Sequence, residues 1–245
     1  MKPNLHIFDT PEETARAVSE IILSKAKEKT KHSNPLNIAL SGGNTPKMLF
    51  EILVNEYENK IPWYFVRLFW VDERCVPPTH PESNFGMTYE SLLKNVPIPD
   101  NNIFRMIGEA DPEKEAKRYQ ELLITQLPSS KSVPQFDLIL LGMGDDGHTA
   151  SIFPNDLSLL DSEQFVVTSI HPVTDQKRIT LTGTTINQAE EVVFLITGSS
   201  KAEVLDQITN HKLDFKNHPA SYIHSQSGSA QFYLDKAAAA KILIQ

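Results

Sequence analysis

Apolar residues follow two alternating arrangements along this chain. Short, nearly continuous apolar runs recur at LNIAL (36–40), VRLFWV (66–71) and FDLILLG (136–142). Runs of that length without polar alternation are expected of strands covered on both faces. QFVVTSI (164–170), RITLT (178–182), VVFLIT (192–197) and FYL (232–234) are further strand candidates. Between them, apolar residues at helical spacing predict helices. Thr10 precedes Pro11 and an acidic first turn, an N-cap arrangement, and this helix is expected to run through Lys25 or a little beyond. Thr45-Pro46 repeats that start before KMLFEILVNEY, with Thr45 as the expected cap. DPEKEAKRYQELLITQL (111–127), SKAEVLDQI (200–208) and DKAAAAKIL (235–243) read as helices too. LPSSKSVPQ (127–135) reads as a loop, and the polar stretch 209–230 as irregular in part. No internal repeat is present. Strands alternating with helices predict an α/β fold: one domain over residues 1–245, with a mostly parallel sheet and helices on both faces, an α/β/α sandwich.

Composition narrows the class. Of 245 residues, 31 are acidic and 23 basic, a net charge of −8, with 40% hydrophobic and 22% charged. These are values of an ordinary globular chain. Its length suffices to bury on the order of 70% of the unfolded surface, so disulfide staples are not needed. The acidic balance argues against a nucleic-acid groove as the main business. No apolar run approaches the ~18–20 residues that span a bilayer. The start, MKPNLHIFDT, has no secretory apolar core, so a cytoplasmic location is expected. The lone Cys75 excludes an internal disulfide and a multi-cysteine metal site. The expectation is a monomer or small homo-oligomer handling a small molecule, without a nucleic-acid or membrane partner.

Open parallel sheets bind ligands at the carboxyl ends of their strands, so the residues after each strand carry the chemistry. After LNIAL comes SGGNTP. Ser41, Gly42 and Gly43 form a tight turn with exposed N–H groups ahead of a helix, a geometry that suits an anion. A plain strand–helix turn would carry the same glycines. The spacing ending in Gly-Lys-Ser/Thr is absent, so this is not a P-loop. After VRLFWV come Asp72, Glu73 and Arg74. Arg74 suits a bidentate grip on phosphate or carboxylate, and Asp72 suits sugar hydroxyls or a base role. The alternative is a solvated charged turn, although Trp70 suggests packing. Cys75 is read as a packing residue rather than a nucleophile.

FDLILLGMGDDGHTASIFP is the most informative stretch. Gly142, Gly144 and Gly147 match a dinucleotide fingerprint. That reading fails because Asp145 and Asp146 would meet the pyrophosphate with like charge. The glycines more plausibly present Asp146 and His148 to a cleft, with Asp146 setting the tautomer of a general-base histidine. The other histidines, among them His171 and His218, lack comparable context and read as incidental. Arg178 opens RITLT. Lys201 lies in GSSKAEVL at a second strand–turn–helix start. No HExxH or second ligand pair supports a metal.

Taken together and in order, SGGNTP, FWVDERCVPPTHPESNFGM, LLGMGDDGHTASIFP, RITLT and VVFLITGSSKAEVL make the chain resemble the 6-phosphogluconolactonases, within the wider glucosamine-6-phosphate isomerase/deaminase family. The late PAS and FYLD segments look similar too. The resemblance implies a Rossmann-like sheet and hydrolysis of 6-phospho-D-glucono-1,5-lactone without a metal or organic cofactor. It implies His148 as the catalytic histidine, with Asp146 beside it. Lys201 matches a lysine that binds sugar phosphate in the related deaminases. The SGGNTP turn, Arg74 and Arg178 match positions in the family's site. The deaminases carry an acid five positions after the motif histidine and tend to read DEY. Here those positions are Phe153 and DER, which favours the lactonase; Asp72 is shared by both branches. A non-catalytic sugar-phosphate sensor is the other alternative, but no helix-turn-helix layout precedes the fold. The oxyanion donors are expected in the glycine loop, with Gly144 part of the binding surface, and Arg74, Arg178 and Lys201 are expected to form one basic cluster.

Overall fold

The computed structural model describes residues 2–212 and 214–242. In chain order it runs β1 (Asn4–Phe8), α1 (Pro11–Lys31), β2 (Leu36–Leu40), α2 (Asn44–Tyr57), β3 (Val66–Trp70), β4 (Asp72–Arg74), α3 (Asn84–Ser91), β5 (Ile103–Phe104) and α4 (Pro112–Gln126). A two-residue hairpin follows, β6 (Ser129–Ser130) with β7 (Val133–Pro134). Then come β8 (Leu138–Leu141), β9 (Val166–Ile170), β10 (Lys177–Leu181), α5 (Gly183–Asn187), β11 (Glu191–Ile196) and α6 (Ala202–Thr209). The hairpin β12 (His224–Ser225) and β13 (Gly228–Ser229) precedes the last strand, β14 (Gln231–Asp235). Short 3₁₀ turns link several of these.

Seven strands form the main sheet in the order β1-β14-β11-β8-β2-β3-β5, and every neighbouring pair is parallel. Successive residues of the central strands point to opposite faces. Phe69, Ile139 and Phe194 therefore face α4, α5 and α6, while Leu68, Leu138 and Val193 face α1, α2 and α3. This is the expected α/β/α sandwich. From β2 the chain works outward through β3 and β5, then returns to β8 and works outward the other way. The switch point thus lies between β2 and β8, where a crevice opens at the strands' carboxyl ends. At the opposite end the buried Asp137 accepts hydrogen bonds from the Asn37 backbone N–H (2.7 Å) and side-chain amide (3.0 Å), tying these two strands together. Lys29 neutralises it.

Several expectations need correction. The strand candidates QFVVTSI and RITLT do not join the main sheet. They form β9 and β10 of a three-stranded antiparallel sheet with β4. β1 has no continuous apolar run because it is a half-exposed edge strand, held by its pairing with β14. The first helix continues to Lys31, since Ala26 still packs in the core. DKAAAAKIL is not a helix: residues 236–242 fold in turns closed by short-range bonds such as Ile242 N–H to Ala239 C=O at 2.9 Å. Its Leu243 lies outside the described residues. Among the described residues no helix is long and apolar enough to cross a membrane.

α4 is locked to the sheet by one phenol. The fully buried Tyr119 hydroxyl accepts from Trp70 N–H at 3.0 Å and donates to Phe104 C=O at 3.1 Å, bridging β3 and β5. Tyr119→Phe leaves that N–H unpaired in the interior, so it is expected to lower unfolding free energy by about 1–3 kcal/mol. Urea denaturation checks this; an unchanged midpoint would show that the bridge contributes nothing.

Candidate active site

A cleft of about 240 Å³ occupies the crevice at the switch point. All the site residues expected from the sequence line it except Asp146, which reaches it through His148. A larger groove of about 1040 Å³ between α2 and α3 contains none of them.

The SGGNTP turn forms one wall. Gly43, at φ +109°, is the N-cap of α2, and no side chain caps the helix. Thr45 is therefore not the cap: its hydroxyl bonds Thr197 Oγ1 at 3.0 Å, joining the start of α2 to the end of β11. The uncapped first turn leaves its N–H groups for a ligand. The buried Ser41 hydroxyl donates to Leu140 C=O at 2.9 Å, so Ser41 shapes the turn rather than offering its hydroxyl. Gly42 is required by proximity, since a Cβ there would stand 1.8 Å from Asn84 Oδ1.

The opposite wall is the small antiparallel sheet. Its register sets Arg74 of β4 directly across from Arg178 of β10. Like charges in that position repel, and both guanidinium Nε atoms are buried without a partner among the described residues. An anion between or beside them would relieve both costs. Arg74 is steadied through Nη1 on Glu82 C=O. Arg178, 9% exposed, lies 3.8 Å from Asp72, and burial lowers its pKa. The buried Asp72 carboxylate accepts from Ser151 Oγ (2.7 Å) and Asn84 Nδ2 (3.3 Å), so its oxygens are largely committed to holding the walls together. Glu73, also buried, accepts from the N–H groups of Arg74 (2.8 Å), Asn84 (2.7 Å) and Phe85 (2.8 Å) and from Ser83 Oγ (3.0 Å). It anchors the start of α3, and burial pushes its pKa up despite these donors. Burial, with Glu73 nearby, pushes the Cys75 thiol up to about 11, which removes it as a nucleophile near neutrality.

The floor is the glycine loop after β8. His148 Nδ1 lies 2.6 Å from Asp146 Oδ1, which also accepts from the His148 backbone N–H at 3.0 Å. Burial alone would raise Asp146, but these two bonds outweigh it and bring the carboxyl down to about 2. A carboxylate only accepts, so Nδ1 carries the proton and Nε2 is left as the basic nitrogen. Phe153 packs on His148 with ring centroids 4.9 Å apart, and His171 packs on the other edge of Phe153 at 5.1 Å. Two of the loop N–H groups expected as oxyanion donors are engaged within the loop itself. Gly144 N–H bonds His148 C=O (2.9 Å) and Gly147 N–H bonds Gly144 C=O (3.1 Å), closing the loop on itself.

Lys201 enters from the turn between β11 and α6. It does not stand free in a cluster with the arginines: it pairs with Asp145, which also accepts from Ser200 Oγ at 3.0 Å. Lys201 and Ser200 hold the Asp145 carboxyl below its ordinary range against the effect of burial. The same turn is fixed by the buried Asp235, whose two oxygens receive Gly198 N–H at 3.1 and 3.2 Å.

Asn84, Ser151, Asp235 and His218 were not legible as site-building residues. The first two lie inside recognisable motifs, but only their contacts to Asp72 show what they do. His218 packs under the glycine loop. Among the described residues, no group of three or more His, Cys, Asp or Glu side chains is placed to hold a metal ion.

With this geometry in hand, comparison with known proteins is informative. The profile of the family described as glucosamine-6-phosphate isomerases/6-phosphogluconolactonase matches residues 9–232. A 6-phosphogluconolactonase of Treponema pallidum is 42% identical over 84% of this chain and 83% of its own length. A 6-phosphogluconolactonase of a Nostoc species is 35% identical over 100% of both chains. The solved structure of 6-phosphogluconolactonase from Trypanosoma brucei superposes with a TM-score of 0.84 at 34% identity, covering 98% of this chain and 99% of that one.

Two outcomes follow from the dyad. A Cβ on Gly144 would stand 2.1 Å from His148 Nδ1 and 2.7 Å from Asp146 Oδ1. Gly144→Ala is thus expected to displace the imidazole and lower kcat by about 10²-fold; an active variant would show that the ring tolerates another position. Asp146 titrates at about 2 when folded and near ~3.9 when unfolded. A depressed carboxyl contributes stability above the unfolded value and loses it as pH falls through the folded one. The gap in urea midpoint between wild type and Asp146→Asn, present at pH 5, should therefore close between about 4 and about 2. A gap that persists at the acid end would contradict the assignment.

Proposed function

The chain belongs to the glucosamine-6-phosphate isomerase/6-phosphogluconolactonase family, and from that premise we propose that it hydrolyses 6-phospho-D-glucono-1,5-lactone to 6-phospho-D-gluconate. This is the second step of the oxidative pentose phosphate pathway. The observation that carries the mechanistic reading is the 2.6 Å Asp146–His148 bond, which leaves Nε2 as a base beside a cationic cleft. The full-length similarity to proteins named 6-phosphogluconolactonase supports the choice of substrate.

In this reading His148 Nε2 takes a proton from a water as its oxygen attacks C1. The tetrahedral intermediate then collapses, and the bond from C1 to the ring oxygen breaks. The imidazolium returns its proton to that oxygen, which becomes the C5 hydroxyl. The product acid ionises in solvent. Asp146 keeps the proton on Nδ1 and favours the imidazolium as it forms. Phe153 touches both His148 and the Arg178 guanidinium, whose Cζ lies 5.9 Å from its ring centroid. That nearness supports Arg178, with Arg74 beside it, as the donor to the C1 oxyanion. The open N–H groups of α2 and Lys201, joined through the Thr45–Thr197 contact, suit the phosphate. Lys201 exchanges Asp145 for the phosphate when substrate enters. Binding energy from that remote group positions the lactone over His148.

The related isomerase–deaminase chemistry is the second reading. The buried Phe153 stands where that branch carries an acid, which leaves proton transfer on an amino sugar without its partner. Ammonia release from glucosamine 6-phosphate would revive it.

The test is proton release from fresh 6-phosphogluconolactone in weak buffer, with the spontaneous rate subtracted. The protein should accelerate opening, and His148→Ala should lower kcat by about 10²–10⁴-fold while product affinity is kept. Unphosphorylated gluconolactone should show kcat/KM at least about 100-fold lower. Equal kcat/KM on both lactones would remove the phosphate assignment, and full kcat in His148→Ala would remove the general base.

A further inference from the structure

We propose that His218 is a positioning residue that holds the Asp146–His148 dyad at its working angle, a role that rests on the hydrolytic reading above. His218 belongs to the segment that follows α6 and is only 8% exposed. Its Nδ1 lies 2.8 Å from Asp146 C=O and its Nε2 2.5 Å from Gln207 Oε1 on α6. A backbone carbonyl only accepts, so Nδ1 is the donor. Asp146 is therefore held at two points: its carboxylate by His148 and its carbonyl by His218.

The neighbouring residue is clamped as well. Ala220 N–H donates to Gly147 C=O at 3.0 Å. A Cβ on Gly147 would stand 2.6 Å from the His218 ring and Cβ, so the two segments are in direct contact. Gly147 sits at φ +82° between the two catalytic side chains. As glycine it is a link of wide conformational freedom directly between Asp146 and His148. The His218 and Ala220 bonds fall on either side of that link, where they limit rotation that would swing His148 away from Asp146. A histidine that only filled space would not need a donor aimed at this carbonyl, and leucine would fill the volume without burying a polar ring.

This role separates cleanly from packing. Asn places an amide N–H close to the position of the histidine Nδ1–H, whereas Leu keeps the bulk and supplies no donor. His218→Leu is expected to lower kcat on 6-phosphogluconolactone about tenfold, with KM within about twofold of wild type. His218→Asn should recover kcat to within about threefold of wild type, because the bond to Asp146 C=O is restored. In a His148→Ala background, His218→Leu should alter the residual rate by less than about twofold, since a residue acting through the dyad has nothing left to position. Nitrogen-15 NMR of the His148 ring supplies a readout independent of turnover. Wild type should show a single tautomer protonated at Nδ1, and His218→Leu a mixture that His218→Asn reverts.

Unchanged kcat and ring signals in His218→Leu would overturn the proposal. So would an Asn variant no better than Leu, or an equal loss in the His148→Ala background. If wild type fails to hydrolyse the lactone, the functional reading falls, and the ring spectra still decide whether His218 sets the dyad.

Discussion

A buried carboxylate, Asp72, ties together the segments that build the cleft. Its oxygens meet Ser151 from beyond the glycine loop, Asn84 from α3 and Arg178 from β10. A carboxylate out of water is costly unless its lone pairs are used. The arrangement that satisfies Asp72 is also the one that closes the small antiparallel sheet over the switch point. That sheet in turn sets Arg74 beside Arg178. Two guanidinium groups, with buried Nε atoms unpartnered among the described residues, make that wall cationic. In a chain of net charge −8, this wall is a local concentration of positive charge.

The Asp146–His148 pair depends on a different constraint, which is space. Gly144 and Gly147 let the loop fold back until His148 Nδ1 donates to Asp146 across 2.6 Å. The same folding engages the N–H groups of Gly144 and Gly147. The loop thus fixes His148 with those two donors turned inward, and Arg74 and Arg178 stand on the opposite wall of the cleft. Lys201 is held by Asp145 on the rim, a pair of small energetic weight. The cleft therefore carries two different devices: buried cations on one wall, and an ion pair near an uncapped helix elsewhere.

Much of this was legible in the residues themselves. The central strands are covered on both faces, so they must be apolar throughout, and LNIAL, VRLFWV and VVFLIT could be placed from composition alone. A parallel sheet gathers the residues that follow its strands at one end. Motifs such as SGGNTP, DER and GMGDDGH, far apart in the chain, were therefore expected to converge, and the structure does bring them to one cleft. Ligand-facing chemistry concentrates in short loops, which is why His148, Asp146, Arg74, Arg178 and Lys201 stood out.

What the residues could not determine is which partner each group takes. β1 is a half-exposed edge with no apolar run to announce it, and the alanine-rich end folds in turns although its local propensity is helical. The register that opposes Arg74 to Arg178, the capture of Lys201 by Asp145 and the bond from His218 to Asp146 join residues widely separated in sequence. Hydrophobic periodicity specifies which face a residue occupies but not which residue lies opposite it, because a shift by two preserves the pattern. Polar pairing depends on distance in the folded chain, and that distance exists only once the sheet has closed.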